Sequence, residues 1–369
     1  MPRRAVAGPL VRKGYLPRGP ALGMAKTATG GGPERMRALA ASLPTRLRDG
    51  FRAGVAIAPS ASGKPSSAFL VGMGGSGISS EMSRGLLEAE TPLAVALVRS
   101  PELPKAVGRD SIVVLVSYSG TTWETLRAYD AAGRARARRV AITSGGTLAE
   151  RAERDHVPLL TLPPGLPPRA AVGNILGGLL GLLDPWFPES NEGRLERATS
   201  RLEAAVASHA RANGPAARIA ERIGPRIPMV YAESTFLGLA RRWKTQVEEN
   251  AKRLAFMDEI PELLHNALVG WDATSRAEAS RFAVVLLEWA EEATLTGRSF
   301  SYLDRLVTAR GATSVRVPLA PEDRLEAIIT GLSLGDHVSL FLADRRRVDP
   351  YPVEAIARLK STLASAARR

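Results

Sequence analysis

Cysteine is absent from this chain of 369 residues. Its absence excludes disulfide bonds, cysteine-ligated metals, iron–sulfur clusters and a thiol nucleophile. It also fits a reducing cytoplasm, where we expect the protein to act. Aromatic residues are scarce as well, at 5% of the sequence. The hydrophobic cores must therefore be filled mainly by alanine, valine, leucine and isoleucine.

Long apolar runs are also missing. The longest, Ala170–Leu183, has 14 residues, whereas a helix needs about 20 to cross a bilayer. We therefore predict a buried helix there and no membrane association. The amino-terminal segment is basic but has no apolar core region, so it does not resemble a signal peptide.

Positive charge is concentrated at the amino terminus. The formal net charge is +13, and residues 1–35 hold seven basic side chains against one acidic side chain. This segment is rich in proline and glycine, so we predict a disordered leader, or an extension upstream of a start at Met24. A nucleic-acid-binding tail is the alternative. The rest of the chain is only mildly basic, which suits small anionic substrates, and we expect no nucleic-acid partner.

Short apolar runs alternate with helical patterns in the first half, at Ala68–Gly72, Leu93–Val98, Ile112–Val116, Val140–Thr143 and Pro158–Leu162. A second cycle has strand candidates at Ile227–Ala232, Phe282–Leu287 and Ser314–Val317. Helices are predicted at residues 34–57, 193–223, 235–255, 322–333 and 352–364. This alternation predicts an α/β fold with parallel sheets flanked by helices. We place a domain boundary near residue 190, which gives domains at 36–190 and 191–369.

A glycine-rich loop, Gly72-Met-Gly-Gly-Ser-Gly77, follows the first of these strands and opens a helix. Glycines allow close backbone approach to a ligand, and a helix amino terminus attracts anions. Gly75 and Ser76 are therefore candidates for binding phosphate. The loop also fits the G-x-G-x-x-G dinucleotide fingerprint, in which Arg99 would meet a 2′-phosphate. A turn without any ligand is the third interpretation of this loop.

A hydroxyl-rich loop, Ser117-Tyr-Ser-Gly-Thr-Thr122, follows the strand Ile112–Val116. A single helix cap explains one hydroxyl group but not four. Ligands of parallel sheets bind at the carboxyl ends of the strands, so Ser117, Ser119 and Thr122 are candidates for surrounding a phosphate. Dinucleotide binding does not require this second loop, so the pair of loops favours a phosphorylated sugar.

The two loops together resemble the sugar isomerase (SIS) domain. The second half of the chain is similar to the bifunctional phosphoglucose/phosphomannose isomerases. That resemblance, which covers about residues 36–366, is carried by Pro163–Ala170, Tyr231–Ala240, Glu249-Asn-Ala-Lys252, Pro261-Glu-Leu-Leu-His-Asn266, Gly270-Trp271, Asp349-Pro350 and Ile356–Lys360. It implies two SIS domains, each a flavodoxin-like three-layer sandwich, and a homodimer with its active sites at the subunit interface.

The resemblance also implies an activity: the interconversion of glucose 6-phosphate or mannose 6-phosphate with fructose 6-phosphate, with no metal or other cofactor. Carried over by motif, Glu249 is the base, Arg169 stabilises the enediolate and His265 opens the sugar ring. Lys360 assists ring opening or holds a hydroxyl group. Ser76 and the three hydroxyl-loop residues bind the phosphate.

The residues by themselves are less decisive. On the predicted helix 235–255, Glu249 falls on the polar side with Arg242, which indicates a solvated carboxylate. The adjacent Glu248 competes for the role of base. His265 is one of four histidines, and a single histidine is usually structural. Two other functions remain open: another SIS-domain sugar-phosphate isomerase, or a non-catalytic SIS regulator that binds sugar phosphate. A glutamine-dependent hexosamine phosphate synthase would need an amino-terminal cysteine, which this chain does not have.

Overall fold

The computed structural model describes residues 13–15, 32–59, 64–289, 291, 293–320 and 322–366. Its strands are β1 Lys13–Tyr15, β2 Ser67–Gly72, β3 Ala94–Val98, β4 Ser111–Val116, β5 Arg138–Thr143, β6 Leu159–Thr161, β7 Ile227–Glu233, β8 Phe256–Ile260, β9 Phe282–Glu288 and β10 Thr313–Pro318. Its helices are α1 Gly32–Ala41, α2 Leu43–Ile57, α3 Gly74–Glu90, α4 Trp123–Arg134, α5 Gly146–Arg154, α6 Val172–Leu183, α7 Glu192–His209, α8 Pro215–Ile223, α9 Leu237–Ala251, α10 Ala267–Ala273, α11 Arg276–Ala279, α12 Leu295–Arg310, α13 Arg324–Arg346 and α14 Glu354–Ala366.

The first sheet has the strand order β1-β6-β5-β4-β2-β3, and its pairings are parallel. Without β1, this is the flavodoxin-like order, in which the chain reverses its winding between two neighbouring strands. Here the reversal lies between β2 and β4, which pair directly. The fold therefore places the glycine loop and the hydroxyl loop side by side at the sheet's ligand-binding edge.

The second sheet has the order β10-β9-β7-β8 and is also parallel. Its winding reverses between β7 and β9, so it repeats the arrangement of the first sheet with fewer strands. The predicted α/β class with two parallel, helix-flanked sheets is therefore confirmed.

Successive residues of a strand point to opposite faces of its sheet, and both faces of these sheets are covered by helices. In β4, Ile112 and Val114 face a core formed with α2, α3 and α6, whereas Val113 and Leu115 face α4 and α5. The inner core continues through α9 and α13 to one face of the second sheet. The other face of that sheet packs on α12. One continuous core thus joins the two halves.

Helices α2 and α6 approach each other closely because glycines line their contact. A Cβ at Gly50 would lie 2.3 Å from the carbonyl oxygen of Asn174, and one at Gly177 would lie 2.2 Å from that of Leu47. Gly181 is equally close to the backbone of α2. Any larger residue at these positions would push the helices apart. The apolar run that the sequence predicts as a buried helix is therefore α6, and its glycines serve this contact.

The contact between the two domains also depends on glycine. A Cβ at Gly85 of α3 would lie 2.0 Å from the carbonyl oxygen of Thr235, and one at Gly238 of α9 would lie 2.5 Å from the backbone nitrogen of Met82. Helices α3 and α9 therefore touch backbone to backbone. This contact sets the distance between the loops of the first domain and the residues of α9.

Several predicted boundaries differ from the structure. The helix predicted at 34–57 is interrupted at Ser42, since Pro44 lies in the first turn of α2 and cannot donate a helical hydrogen bond. The helix predicted at 193–223 is two helices, and α8 begins at Pro215 for the same reason. Strand β8 was not predicted, because its central residues Asp258 and Glu259 are charged.

The predicted disorder of the leader does not hold for every residue of 1–35. Lys13–Tyr15 pair with Leu159–Thr161 as a parallel edge strand, and Gly32 begins α1. The other leader residues, Met24 among them, lie outside the described residues. Among the described helices, α13 is long and apolar enough to cross a membrane, but 78% of its most apolar window is buried inside the protein.

Two buried histidines lie between α7 and α13. The ring centroids of His209 and His337 are 6.0 Å apart. His209 Nδ1 pairs with Ser333 Oγ at 3.0 Å, and His337 Nδ1 donates to the Ser333 carbonyl oxygen at 2.8 Å. Burial, reinforced by His337, lowers the pKa of His209 to about 4. Burial also lowers the pKa of His337, although its hydrogen bond to Ser333 opposes that shift.

These lowered pKa values predict acid sensitivity. Between about pH 6.5 and 4 the unfolded chain binds more protons at His209 than the folded chain does, so the stabilising contribution of the neutral ring is complete above pH 6.5 and is lost as the pH falls. For His209 alone we expect a loss of about 2 kcal/mol of unfolding free energy at pH 5. Urea denaturation at pH 7.5 and pH 5 measures it.

The control uses two single variants. His209→Asn removes the titrating ring and should flatten the pH dependence of the unfolding free energy. His156→Asn alters an exposed histidine in the left-handed region, with φ 53°, where asparagine is tolerated, and should leave the pH dependence unchanged. An undiminished pH dependence in His209→Asn would show that the buried pair is not its source.

Candidate active site

The glycine loop connects β2 to α3 through a tight turn. Gly74 has φ +53°, and a Cβ at Gly77 would lie 2.5 Å from the carbonyl oxygen of Gly72. Ser76 is buried, and its Oγ accepts a hydrogen bond from the Tyr118 amide at 3.4 Å. The hydroxyl hydrogen of Ser76 has no protein acceptor among the described residues. It is therefore available to an anion at the amino terminus of α3.

The hydroxyl loop lies beside it. Ser117 Oγ and Thr122 Oγ1 are 2.8 Å apart, and the Gly120 amide donates to Ser117 Oγ at 3.1 Å. Ser119 Oγ accepts from the Thr121 amide at 3.3 Å. Ser117 is buried, Thr122 is half-buried and Ser119 is exposed. The exposure of the hydroxyl groups therefore increases from Ser117 to Thr122 to Ser119. Such a gradient suits an anion that is bound on its inner side and solvated on its outer side.

Strand β9 holds the place in the second sheet that β4 holds in the first, but the residues at its carboxyl end differ from the hydroxyl loop. Strand β9 is followed by Trp289, whose indole donates to the Ala320 carbonyl oxygen at 2.9 Å, and its last residue Glu288 pairs with Arg316. The Glu288 carboxylate would repel a phosphate, and the indole N–H group of Trp289 already has an acceptor. The end of β9 therefore has no counterpart of the hydroxyl loop.

Arg169 lies next to the glycine loop at the start of α6. A Cβ at Gly75 would lie 3.3 Å from the Arg169 Cα, so Gly75 allows this approach. The Arg169 side chain is only 2% exposed, and its Nη1 lies 3.5 Å from Glu249 Oε2. Burial lowers the pKa of Arg169, and the Glu249 carboxylate opposes that shift. The guanidinium nevertheless stays protonated at neutral pH.

Glu249 lies near the end of α9 and is 25% exposed. The prediction of a solvated polar face is wrong for its neighbour Arg242, which is 1% exposed and forms a bidentate ion pair with Asp336 at 2.9 and 2.8 Å. Helical periodicity could not reveal this, because the covering groups come from α13 and from the Arg169 loop. Glu248 differs: it pairs with Lys244 at 2.8 Å along the helix surface.

Tyr118 links the hydroxyl loop to Arg169, a role that the sequence analysis missed. Its hydroxyl donates to the Pro163 carbonyl oxygen and accepts from the Leu166 amide, both at 2.8 Å. These two residues belong to the proline-rich loop before Arg169. Burial raises the pKa of Tyr118, so it stays neutral and able to donate. The hydroxyl loop and the proline-rich loop that carries Arg169 are therefore held together.

Arg99 does not serve a dinucleotide. Its Nη2 lies 2.8 Å from Oε2 of Glu81, which is buried, and Arg241 Nε lies 2.6 Å from the same oxygen. Glu81 thus ties the end of β3 to α9. Together with the hydroxyl loop, this ion pair removes the support for the dinucleotide interpretation.

Two predicted site residues remain, His265 and Lys360. His265 is exposed in a short 3-10 turn after β8, and its side chain forms no hydrogen bond or ion pair with any described residue. Lys360 lies in α14, and its side chain is outside the described part of the chain. Residues 354–359 of α14 are exposed, including Ile356 and Leu359. No cluster of three histidine or acidic residues suited to a metal occurs among the described residues.

Comparison with known proteins identifies relatives of this chain. Residues 212–363 match the family model described as bacterial phospho-glucose isomerase C-terminal SIS domain. A bifunctional phosphoglucose/phosphomannose isomerase from Caldicellulosiruptor bescii is 30% identical over 331 residues, which covers 88% of this chain and 97% of that protein. A D-glucosamine-6-phosphate 4-epimerase from Sulfolobus acidocaldarius is 35% identical over 198 residues, 53% of this chain and 61% of that protein.

Solved structures share the fold. A glucosamine-6-phosphate deaminase from Thermotoga maritima aligns with a TM-score of 0.65 at 16% identity, and the alignment covers 86% of this chain and 96% of that one. The match to the Caldicellulosiruptor bescii enzyme spans both halves of the chain and nearly the whole of that protein. The resemblance inferred from the loops is confirmed, and the chain belongs to the bifunctional phosphoglucose/phosphomannose isomerase family.

Proposed function

We propose that this protein is an aldose–ketose isomerase that converts glucose 6-phosphate or mannose 6-phosphate to fructose 6-phosphate and back. The observation that carries the proposal is the placement of Arg169. Its backbone touches the glycine loop at Gly75, and its guanidinium faces Glu249 at 3.5 Å. A carboxylate and a cation thus lie together beside a loop of hydroxyl groups.

The reaction needs a base and a stabilised oxyanion. In the open-chain aldose phosphate, a Glu249 oxygen removes the C2 proton, and the electron pair forms a C1–C2 double bond while the C1 carbonyl oxygen gains negative charge. Arg169 Nη1 stabilises that charge. The proton of the C2 hydroxyl group passes to the C1 oxygen, and Glu249 returns its proton to C1 while the C2 oxygen becomes the ketone of fructose 6-phosphate.

The same intermediate accounts for two aldoses. Glucose 6-phosphate and mannose 6-phosphate differ only in configuration at C2, and that difference disappears in the planar enediol. Proton return to either face of C2 then decides which aldose forms.

The phosphate is expected at the hydroxyl loop. Ser76, Ser117, Ser119 and Thr122 offer hydroxyl groups there, and the start of α3 adds free amides and a partial positive charge. Holding the phosphate here fixes the far end of the substrate, so the reacting carbons are presented to Glu249 and Arg169. Neither step calls for a metal or cofactor, and a hexose phosphate is a substrate of the cytoplasm.

We also propose that two copies of the chain assemble, with the active site at their interface. Two features support this. The His265 side chain is exposed and has no hydrogen-bond or ion-pair partner among the described residues, and α14 exposes Ile356 at 44% and Leu359 at 58%. A second subunit would bury these apolar groups, and it would supply His265 to the site for ring opening near neutral pH.

The first test is turnover with EDTA present. We expect the purified protein to form glucose 6-phosphate from fructose 6-phosphate and from mannose 6-phosphate in a coupled assay. Glu249→Gln should lower kcat at least about 100-fold, since it removes the proton-transferring group, while calorimetry should show that fructose 6-phosphate still binds.

Glu248→Gln is the matched control, because it removes only a surface ion pair and should keep kcat within about threefold of the unmodified enzyme. If Glu248→Gln were the inactive variant, the base would be reassigned. Glucosamine 6-phosphate is assayed in parallel, and C4 epimerisation without isomerisation would replace the proposed reaction.

The phosphate site predicts a KM effect. Ser76→Ala should raise KM for fructose 6-phosphate about tenfold, or ~1.4 kcal/mol, through loss of one hydrogen bond to a charged group. Ser79→Ala is the control, because its buried hydroxyl on the same helix has no hydrogen-bond partner. Equal KM values in the two variants would place the phosphate elsewhere.

Shared active sites predict complementation. Glu249→Gln and His265→Ala subunits, each strongly impaired alone, should regain about a quarter of normal activity when coexpressed, because half of the dimers are mixed and each mixed dimer has one intact site. Failure to regain activity in mixed dimers isolated by two affinity tags would place both residues in one subunit.

A further inference from the structure

We propose that Asn250 is a positioning residue that holds the Arg169 guanidinium so that only Nη1 faces Glu249. The proposal rests on the role of Arg169 in the proposed isomerase. It adds a residue that does not itself reach the substrate. Asn250 directly follows Glu249, is fully buried, and accepts a hydrogen bond from Arg169 Nε at 3.1 Å.

The donors of Arg169 can be accounted for individually. A guanidinium has five N–H groups in a planar fork. Nε–H is used by Asn250, and Nη2 donates to the carbonyl oxygens of Pro350 and Tyr351 at 2.7 and 2.8 Å. Three of the five N–H groups are therefore bound to fixed acceptors. The remaining two, on Nη1, point to the side where Glu249 lies.

Asn250 is itself held in one orientation. Its Nδ2 donates to Ser339 Oγ at 2.9 Å, and Ser339 Oγ donates to the Asp336 carbonyl oxygen at 2.6 Å. The side-chain amide cannot rotate by 180° without placing an N–H group against Arg169. Helix α13 therefore determines which atom of Asn250 faces the arginine, and the oxygen is the one that can accept its proton.

Two further contacts restrain the same assembly. Arg242, paired with Asp336, donates from Nη1 to the Arg169 carbonyl oxygen at 2.9 Å. Lys252 Nζ donates to the carbonyl oxygens of Glu249 and Pro352, which ties the segment that binds Arg169 Nη2 to the end of α9. Arg242 and Lys252 bind backbone carbonyl oxygens, whereas Asn250 binds the guanidinium itself.

The consequence is chemical as well as structural. If Nε lost its acceptor, the fork could rotate about its remaining bonds and move Nη1 away from the place where the oxyanion forms. A displacement of about 1 Å at a reacting group can cost about 100-fold in rate. The phosphate loops do not contact Asn250, so substrate binding should change little.

The experiment compares Asn250→Ala, Asn250→Asp and Ser339→Ala. Asn250→Ala should lower kcat about 10- to 100-fold, with KM for fructose 6-phosphate within about threefold. Asn250→Asp keeps an oxygen acceptor for Nε and should recover part of kcat. Ser339→Ala removes only the anchor of the amide, so its effect should be smaller and in the same direction.

A double-mutant cycle separates positioning from direct action. If Asn250 acts through Arg169, adding Asn250→Ala to Arg169→Lys should cost little more than Arg169→Lys alone. Asn174→Ala is the matched control, because Asn174 is another buried asparagine that accepts from an arginine, Arg46 Nη1 at 3.2 Å. It should lower stability without lowering kcat.

A readout that does not depend on turnover completes the test. In protein labelled with [15N]arginine, the Nε–H signal of Arg169 is the one lost in Arg169→Lys. Its exchange with solvent should be slow in the unmodified protein and in Asn250→Asp, and at least about tenfold faster in Asn250→Ala, because the buried hydrogen bond is gone.

The outcomes distinguish a failure of the proposed isomerase function from a failure of the positioning role of Asn250. An unmodified protein without isomerase activity defeats the proposed function, and the exchange rates then decide alone whether Asn250 holds Arg169. An active protein in which Asn250→Ala leaves kcat unchanged, or lowers it by the same factor in the Arg169→Lys background, overturns the positioning role. Unchanged exchange in Asn250→Ala overturns it in either case.

Discussion

The structure depends on how it neutralises one buried cation, Arg169. A guanidinium that is 2% exposed is costly to bury unless its donors find acceptors. Those acceptors come from distant parts of the chain: α9 supplies Glu249 and Asn250, and the segment before α14 supplies two backbone carbonyl oxygens. Because these acceptors lie in α9 and in the segment before α14, the arginine links its own loop to two other parts of the chain.

The two halves of the chain contribute different groups to the surroundings of Arg169. The first sheet provides the glycine loop and the hydroxyl loop at the point where its winding reverses, and α9 in the second half provides the Glu249 carboxylate. Neither half holds both. The backbone contact between α3 and α9 at Gly85 and Gly238 sets the distance between the loops and the carboxylate, so helix packing determines that distance.

Much of this could be predicted from the sequence. The two loops have local signals, because a buried strand followed by glycines or hydroxyl groups predicts both structure and ligand. Glu249 could not be placed in this way. Its helix periodicity indicates a solvated face, whereas Arg169, 80 residues earlier in the chain, covers it. Contacts between residues so far apart in sequence leave no local pattern, and the same holds for the burial of Arg242 against Asp336.

Strand β1 was missed because the composition of the leader predicts disorder, whereas its pairing with β6 is determined by the edge of the sheet.

The glycine contact between α2 and α6 has a further consequence. Arg169 lies in the 3-10 turn that leads into α6, so its height along the helix axis follows the register in which α6 lies on α2. A slip of one turn would move it by about 5.4 Å, away from its contact with Gly75. Because backbone atoms of the two helices interlock at Gly50, Gly177 and Gly181, such slips are sterically blocked. The glycines at the contact of α2 and α6 thus fix the register of the two helices and keep the arginine at the level of the glycine loop.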